Sequence, residues 1–299
     1  MNDLKTIERK KYLDKLQKVN GTPDIKVITG VRRSGKSKLM DSYIDWLEEN
    51  EKNLNIIYID FTNLKYEELK EYHALNSFIE EKYQKKMQNY LFIDEVQMCP
   101  NFELTINSLH SSGKYDIYVT GSNAFLLSSD LATLFTGRTY EIEVFPFSFA
   151  EYMEYYQSKD RNSAFDSYIK DGGMSGSYAY PNQEEKYRYI EDVFNTLIIR
   201  DIRQKYAIRN VALLDRISDF LMDNISNLSS ARKIADVLTN NSDAINHKTV
   251  GKYIGYLCNA FAFYQVRRYD IKGKKYLTTN DKYYLSDHAF RYAKLGTRN

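Results

Sequence analysis

The sequence has 299 residues, of which 43% are hydrophobic and 27% are charged, and its formal net charge is only +2. This composition is typical of a folded globular protein and excludes disordered and fibrous classes, and the length favours two domains because one core rarely exceeds about 250 to 300 residues. The sequence has no apolar run near the ~18 residues of a membrane helix and no signal-peptide core, so we expect no membrane partner. Cys99 and Cys258 have neither disulfide-scaffold nor zinc-site spacing, which is typical of a cytoplasmic protein.

Short β-branched runs alternate with amphipathic helical patterns over the first half of the chain. Strands are predicted at residues 25–29, 55–60, 90–94, 117–120 and 140–145. Helices are predicted at residues 4–19, 36–49, 66–86, 102–111 and 124–135. Because the strands are apolar throughout and are separated by helices, they predict a parallel sheet that is covered by helices on both faces.

The second half of the chain has two further patterns. Residues 147–206 are predicted to be helical apart from a glycine-rich loop at residues 172–176. Helices are then predicted at 211–225, 230–238 and 250–261, and strands at 263–266, 275–278 and 283–285. Three helices followed by a β-wing predict a winged helix-turn-helix. We therefore expect four segments: a sheet-containing domain at residues 1–146, a helical connector at 147–206, the winged helix at 207–290 and a short C-terminal segment at 291–299.

The segment after the first strand has the spacing of a phosphate-binding loop. Residues 30–37 match G-x-x-x-x-G-K-[ST] between a β-branched strand and a helix. The glycines let the backbone wrap an anion with its N–H groups pointing inward, and the following helix contributes its positive end. Lys36 is expected between the β- and γ-phosphates of a nucleotide, and Ser37 is expected to ligate Mg²⁺. The nucleotide-binding candidates are Gly30, Val31, Arg32, Arg33, Ser34, Gly35, Lys36, Ser37 and Lys38.

A later apolar strand ends in two adjacent carboxylates, Asp94 and Glu95. Asp94 is suited to hold Mg²⁺ through a water, and Glu95 is suited to polarise the water that attacks the γ-phosphate. The chain contains no N-K-x-D sequence, which is the motif that small regulatory GTPases use to read the guanine base. The pair therefore favours ATP over GTP, with Glu95 as the catalytic base.

Polar residues elsewhere leave more than one role open. Ser122 and Asn123 follow the fourth strand, where they would contact the γ-phosphate or the attacking water, but both are also favoured helix caps. Arg138 precedes the fifth strand, and it would act either as a catalytic arginine finger or as the partner of a surface glutamate. Arg200 and Asp201 are further candidates for sensing the nucleotide, and the arginines of the loop would contact phosphate or a lid.

The chain carries, in order, the segments VITGVRRSGKSKLM, YLFIDEVQ, YVTGSNAFLL and LFTGRTYEIEVFPFSFAEY. These segments resemble the AAA+-type P-loop ATPases of bacteria and archaea, and in particular their archaeal-ATPase-like group, over about residues 1–295. The resemblance implies an α/β P-loop NTPase fold with a five-stranded parallel sheet of order 5-1-4-3-2. It also implies that Lys36, Ser37, Asp94 and Glu95 bind ATP and Mg²⁺. Family members usually continue into a nuclease-like domain, so we expect residues 291–299 to be the stub of a truncated region.

The small overall charge conceals two oppositely charged halves. Residues 203–299 hold 17 basic and 8 acidic residues, a net charge of +9, whereas residues 1–202 carry −7. Basic residues in the predicted third helix and wing form a footprint suited to the backbone of double-stranded DNA. They are Lys248, Lys252, Arg267, Arg268, Lys272, Lys274 and Lys275. The same basic face would also suit docking on the acidic half of the chain.

Two functions are consistent with these patterns. In the first, a Mg²⁺-dependent ATPase uses its nucleotide state to move the winged helix, which is a candidate DNA-binding module. In the second, the protein is a DNA-binding or scaffold protein in which the nucleotide is structural and turnover is negligible. If Arg138 acts as an arginine finger on the nucleotide of a neighbouring subunit, the protein is a homo-oligomer.

Overall fold

The computed structural model describes residues 6–121, 135, 137–239, 245–267 and 280–296. The chain forms two compact units. The N-terminal unit comprises Thr6–Gly30 and Ser34–Val144, and the C-terminal unit includes Val31–Arg33 and Phe145–Asn299. Every helix in the described part of the chain is too short or too polar to span a bilayer.

The N-terminal unit contains one parallel five-stranded sheet. Its strands are Ile25–Thr29 (β1), Leu54–Asp60 (β2), Gln88–Asp94 (β3), Tyr115–Thr120 (β4) and Thr139–Glu143 (β5). Their order is β2-β3-β4-β1-β5, and each neighbouring pair is parallel. This confirms the predicted α/β class and the predicted order, which reads 5-1-4-3-2 from the opposite edge.

Helices pack on both faces of this sheet. They are Lys10–Lys18 (α1), Lys36–Asn50 (α2), Tyr72–Glu81 (α3) and Phe102–Ser112 (α4), with 3-10 turns at Leu64–Lys70 and Val96–Met98. Alternate side chains of each strand point to opposite faces. Ile25 and Val27 of β1 therefore join the core beneath α3 and α4, whereas Ile28 joins the core beneath α1 and α2. The helix predicted at residues 124–135 lies outside the described residues except for the buried Phe135.

One position of β1 departs from the apolar pattern. Lys26 is fully buried, and its Nζ donates to Asp116 Oδ1 at 2.5 Å and to the Thr22 carbonyl at 2.6 Å. The hydroxyl of Tyr118 donates to the other oxygen of Asp116 at 3.0 Å. A buried ammonium is costly unless it is paired and hydrogen-bonded, and this cluster meets both conditions.

The C-terminal unit is mainly helical. Its helices are Phe149–Tyr156 (α5), Arg161–Asp171 (α6), Gln183–Thr196 (α7), Arg203–Tyr206 (α8), Val211–Asp223 (α9), Ala231–Thr239 (α10), His247–Asn259 (α11) and Ala289–Leu295 (α12). A 3-10 turn at Ser175–Ala179 and a π-helical segment at Leu197–Ile202 interrupt them. The strands Phe263–Val266 (β6) and Lys282–Leu285 (β7) pair antiparallel.

The last helices and strands follow the order expected of a winged helix. The segment between α9 and α10 runs beside β7, where Ser229 pairs antiparallel with Asp281 and the Ser226 N–H donates to the Tyr283 carbonyl at 3.1 Å. The order is therefore helix, short extended segment, helix, helix and hairpin. The strand predicted at residues 275–278 lies outside the described residues. The winged helix-turn-helix stays a prediction, although the described elements agree with its order.

The C-terminal segments differ from the predicted division. Residues 147–206 and 207–290 belong to one unit in the described chain, because α7 and the later helices share a core in which the rings of Phe194 and Phe290 lie 5.2 Å apart. Residues 291–295 of the segment expected at 291–299 lie in α12, and the expectation of a truncated region stays a prediction. That helix is held by buried Phe290 and by ion pairs from Lys294 to α9.

Candidate functional site

The backbone after β1 forms a tight loop at the carboxyl edge of the sheet. Gly30 has φ +135°, and a Cβ at this position would lie 2.0 Å from the carbonyl oxygen of Val144, so only glycine fits. Arg33 and Gly35 also have positive φ, +62° and +95°. Left-handed residues in such a turn direct successive N–H groups to one side, which produces a concave anion site. Helix α2 begins at Lys36, directly after this turn.

The side chains of the loop lie over this backbone. Lys36 is buried, and its Nζ donates to the Gly30 carbonyl at 3.0 Å. Ser34 is also buried, and its Oγ has no hydrogen-bond partner among the described residues. An unsatisfied buried hydroxyl costs about 1 to 3 kcal/mol, so this atom fits a site that is completed by a polar ligand. Lys38 is exposed and pairs with Asp41 at 3.2 Å.

Two further polar residues meet at the ends of β3 and β4. Asp94 is buried, and it accepts hydrogen bonds from Ser37 of the loop and from Thr120 at the end of β4. Burial raises the pKa of Asp94, and the two hydrogen bonds act in the opposite direction. The predicted magnesium ligands Ser37 and Asp94 are therefore brought together, and both supply the oxygen donors that Mg²⁺ prefers.

Glu95 lies at the turn that follows β3. Its φ of +54° is left-handed, because the chain leaves the strand here and enters the short 3-10 turn. The Gln97 side-chain amide donates to its carboxylate, and its own N–H donates to the Thr120 hydroxyl at 3.2 Å. The predicted base is thus held from two sides, next to Asp94.

Sequence reasoning missed Thr120 and Gln97. Thr120 carries no motif signal, but the parallel register pairs Ile93 with Val119, so that the two following residues, Asp94 and Thr120, lie side by side. The predicted strand order places β3 beside β4, but the contact also depends on the register of this pair, which the sequence does not give. The residues predicted for this role, Ser122 and Asn123, lie outside the described residues.

Arg138 does not lie near the phosphate loop of its own chain. It precedes β5, it is exposed, and its carbonyl accepts from the Ile25 N–H at 2.9 Å at the amino end of β1. Gly30 follows the opposite end of this five-residue strand. At a rise of ~3.3 Å per residue, the two ends are about 16 Å apart. This separation does not favour a finger role in cis, and the finger role of Arg138 stays a prediction.

Two loop arginines have partners within the C-terminal unit. The guanidinium of Arg32 lies 3.3 Å from Asp201, which is buried. Arg33 donates to the Tyr189 hydroxyl at 2.8 Å and lies over that ring at 5.1 Å. Asp201, predicted to sense the nucleotide, thus binds a residue of the loop, whereas Arg200 is exposed.

Comparisons with known proteins agree with this geometry. Residues 22–153 match a protein-family model described as an AAA domain, and residues 162–299 match one described as a domain of unknown function. An uncharacterized protein of Haemophilus influenzae is 35% identical over 98% of this chain and 74% of its own length. Another, from Methanocaldococcus jannaschii, is 25% identical over 100% of this chain and 69% of its own length.

A solved structure extends the comparison to the fold. The Walker-type ATPase of Pyrococcus abyssi superposes with a TM-score of 0.63 at 15% sequence identity, covering 96% of this chain and 95% of that one. This likeness concerns the fold alone. The family assignment rests instead on the AAA-domain match, the 35% identical relative, the phosphate loop and the paired acidic residues. The chain belongs to the AAA+-type P-loop ATPases of the archaeal-ATPase-like kind.

Proposed function

We propose that the protein binds ATP together with Mg²⁺ and hydrolyses it, using Glu95 as the base that activates water. The observation that carries this proposal is the meeting of Lys36, Ser37, Asp94 and Glu95 at one edge of the parallel sheet. Ligands of open α/β sheets bind at the carboxyl ends of the strands, where the strand order reverses. In this sheet the reversal lies at β1, from which the phosphate loop emerges.

The loop fits a polyphosphate group in three respects. Its positive-φ residues turn N–H groups toward one concave side. The Ser34 hydroxyl is buried without a partner among the described residues, and a phosphate oxygen would supply one. The Lys36 ammonium, which donates to the loop itself, would exchange that carbonyl for a phosphate oxygen without moving far. These contacts would recognise the phosphates of a nucleotide and not its nucleobase.

Ser37 and Asp94 would hold the metal ion. When bound, Mg²⁺ supplies neutralisation of the charge that develops on the phosphate oxygens. Asp94 supplies a carboxylate oxygen beside the Ser37 hydroxyl. Burial raises the pKa of this carboxyl and so disfavours its ionised form, and a neighbouring cation would favour the ionised form again. The hydroxyl of Thr120 also donates to this carboxylate and helps to keep it in place.

Glu95 would accept the proton of the attacking water on its carboxylate. The Gln97 amide donates to one oxygen, Oε2, and the Thr120 hydroxyl anchors the Glu95 backbone, so the carboxylate has a defined orientation. Orientation of a general base within hydrogen-bond reach of the water is the main geometric requirement for this step. The half-buried position keeps the group accessible to that water.

The experiment is steady-state phosphate release by the purified chain, with Mg²⁺ or with a chelator. We expect turnover with Mg²⁺, loss of turnover on chelation, and a decrease of at least about 100-fold in Lys36→Ala, because the phosphate contact of a charged donor is removed. Lys52→Ala, an exposed lysine beyond α2, is the matched control and should equal the wild type. ATP turnover by Lys36→Ala equal to that of the wild type would contradict the proposal.

We further propose that nucleotide occupancy acts on the C-terminal unit through the loop. The support is the grouping of Val31–Arg33 with that unit, where Arg32 pairs with buried Asp201 and Arg33 binds Tyr189. A loop that rearranges around phosphate would change these contacts. This is the switch expected of an ATPase that moves an attached module.

A second candidate function is binding of double-stranded DNA by the C-terminal unit. Lys248 and Lys252 are exposed one turn apart on α11, the helix that would enter the major groove of a winged-helix complex, and Arg267 is exposed after β6. In the same unit, Asp223 of α9 pairs with Arg291 of α12. Arg268, Lys272, Lys274 and Lys275 lie outside the described residues.

Fluorescence anisotropy with a labelled duplex at several salt concentrations tests this candidate. The double variant Lys248→Ala/Lys252→Ala should bind more weakly and lower the slope of log K against log salt by about 2, because each phosphate contact contributes about 0.9. Lys85→Ala/Lys86→Ala, an exposed pair in the N-terminal unit, is the matched control. The absence of duplex binding by the wild type at low salt would refute this function.

A further inference from the structure

A buried arginine lies against the phosphate loop and has no counterpart in the loop motif. Arg9 directly precedes α1, and only 6% of its surface is exposed. Its Nη1 donates to the carbonyl oxygen of Ser34 at 2.8 Å. The guanidinium also lies over the ring of Tyr12, 4.5 Å from its centroid. Arginine is among the residues that are least often buried in proteins, so this position calls for a specific role.

The contact fixes the orientation of one peptide group. The peptide between Ser34 and Gly35 is planar and trans, so its C=O and its N–H point in opposite directions. Because Arg9 holds the Ser34 carbonyl, the N–H of Gly35 is directed away from Arg9. Gly35 has φ +95°, and a glycine allows such a peptide to rotate at little steric cost. The hydrogen bond from Arg9 restricts this rotation and so favours one orientation of the N–H.

We propose that Arg9 is a positioning residue for polyphosphate recognition, and that it acts by locking the Ser34–Gly35 peptide so that the Gly35 N–H faces the phosphates of a nucleoside di- or triphosphate. This inference rests on the proposed ATP-binding function. Arg9 acts on the phosphates through the backbone of the loop. The sequence could not reveal it, because Arg9 lies 21 residues before Gly30 and outside every motif.

The proposal predicts which kinetic constant changes. A preorganised N–H that binds phosphate equally in the ground state and the transition state affects KM and not kcat. A residue that only anchors α1 would instead lower the fraction of folded protein, which reduces the apparent kcat and leaves KM unchanged. The split between KM and kcat therefore separates positioning from a merely structural role.

The experiment compares the unmodified 299-residue chain with Arg9→Ala and Arg9→Lys, with Lys10→Ala as the exposed neighbour that has the same charge. KM and kcat for MgATP and the dissociation constant of MgADP are measured, and thermal unfolding reports the folded fraction. Arg9→Ala should raise both KM and the MgADP dissociation constant about tenfold, at unchanged kcat, because one hydrogen bond to a buried carbonyl is lost. Arg9→Lys keeps a charged donor and should lie within about threefold of the wild type, as should Lys10→Ala.

The outcomes separate this proposal from the one on which it rests. Failure of the wild type to bind MgATP and MgADP would overturn both. Wild-type binding with unchanged KM in Arg9→Ala, or with a loss of kcat alone that follows the folded fraction, would overturn only the role of Arg9. If Arg9→Ala does not fold, Arg9→Lys and Arg9→Gln decide. The proposal then requires the MgADP affinity to fall further in the shorter, uncharged glutamine than in the lysine, and equal affinities would refute it.

Discussion

Thr120 joins the two acidic positions of the candidate site through a single hydroxyl. That hydroxyl donates to the Asp94 carboxylate and accepts from the Glu95 N–H. One atom therefore holds both the proposed metal ligand and the backbone of the proposed base. The site therefore depends on residues outside the sequence motifs. Gln97 likewise donates to the Glu95 carboxylate, and Arg9 donates to the Ser34 carbonyl.

Two substitutions of Thr120 distinguish the effect of its hydroxyl from the effect of its side-chain volume. Thr120→Val keeps the volume but removes both hydrogen bonds, whereas Thr120→Ser keeps the hydroxyl. Because hydrogen bonds to charged groups are worth about 1.5 to 3 kcal/mol, we expect kcat for ATP to fall by about 10- to 100-fold in Thr120→Val and by less than about threefold in Thr120→Ser. Steady-state hydrolysis measures this, and equal values for the two variants would contradict the assigned role.

The buried cluster around Lys26 predicts an unequal cost for its two charges. Lys26 is fully buried, but Asp116 is slightly exposed and also accepts from Tyr118 and from the Gly21 N–H. Removal of Asp116 leaves a buried ammonium with only the Thr22 carbonyl among the partners described above. We expect Asp116→Ala to lower the free energy of unfolding by about 3 to 5 kcal/mol, and Lys26→Met to lower it by less. Urea unfolding tests the order, which the reverse ranking would contradict.

At the scale of elements, the glycine loop at residues 172–176 follows α6 and contacts Asp287, which precedes α12. A Cβ at Gly173 would lie 2.3 Å from the Phe147 carbonyl, so the backbone approaches closely here. Buried Asp287 accepts from the Gly173 N–H at 2.7 Å and from the Ala289 N–H at 2.9 Å. The glycines that interrupt the helical pattern therefore serve packing and backbone pairing, whereas the glycines of the phosphate loop serve the site.

The loss of this carboxylate should destabilise the C-terminal unit. Asp287→Ala removes the buried acceptor of the backbone N–H groups of Gly173, Met174 and Ala289, so we expect the free energy of unfolding to fall by about 2 to 4 kcal/mol, whereas exposed Asp236→Ala should have little effect. The measurement is urea unfolding followed by circular dichroism. A change below about 0.5 kcal/mol in Asp287→Ala would contradict this account.

The stabilisation by Asp287 should also depend on pH. Burial raises the pKa of Asp287, against the opposing effects of the charge of His288 and of backbone N–H donors. The folded state thus binds this proton more tightly than the unfolded state. The resulting stability is complete below the ordinary carboxyl pKa of about 4 and is lost as pH rises through the raised pKa. The difference in unfolding free energy between wild type and Asp287→Ala should therefore shrink with increasing pH, and a difference that grows would refute the assignment.

The sequence predicted elements well where local pattern and tertiary packing agree. The β-branched strands and the phosphate loop are examples, because their residue types are required by a two-faced sheet and by an anion turn. The helix predicted at 66–86 is divided instead, since the Glu71 carboxylate caps α3 by accepting from the N–H groups of His73 and Ala74. Apolar periodicity continues across this cap and conceals it. The contact of Thr120 with Asp94 depends on the register between two neighbouring strands, which is not visible in a local pattern even when the strand order is predicted.

At the scale of the whole molecule, the loop segment Val31–Arg33 is the part of the phosphate loop that belongs to the C-terminal unit. Its ion pair with Asp201 lies where the long helical segment passes through a π-helical turn, a feature often found at functional positions. The basic charge of the chain lies in the later part of this unit, because residues 203–299 carry +9 and residues 1–202 carry −7. A nucleotide-dependent switch would therefore have to transmit the state of the phosphate loop to the basic part of the C-terminal unit.

Hydrogen exchange tests that connection. We expect MgATP to change the exchange of α7 and α8 by at least about twofold in the wild type, because phosphate binding competes with the contacts of Arg32. Asp201→Asn should weaken the ion pair and reduce this response, and Asp192→Asn on the exposed side of α7 should not. An identical response in the wild type and Asp201→Asn would exclude this route.

The central claim is that Glu95 activates the water that attacks ATP, and Glu95→Gln tests it most directly. Glutamine preserves the size of the side chain and removes its basicity, so the variant should bind MgATP within about threefold of the wild type and turn it over at least about 100-fold more slowly. Equilibrium binding and phosphate release are measured on the same protein samples. Turnover by Glu95→Gln at the wild-type rate would contradict the account.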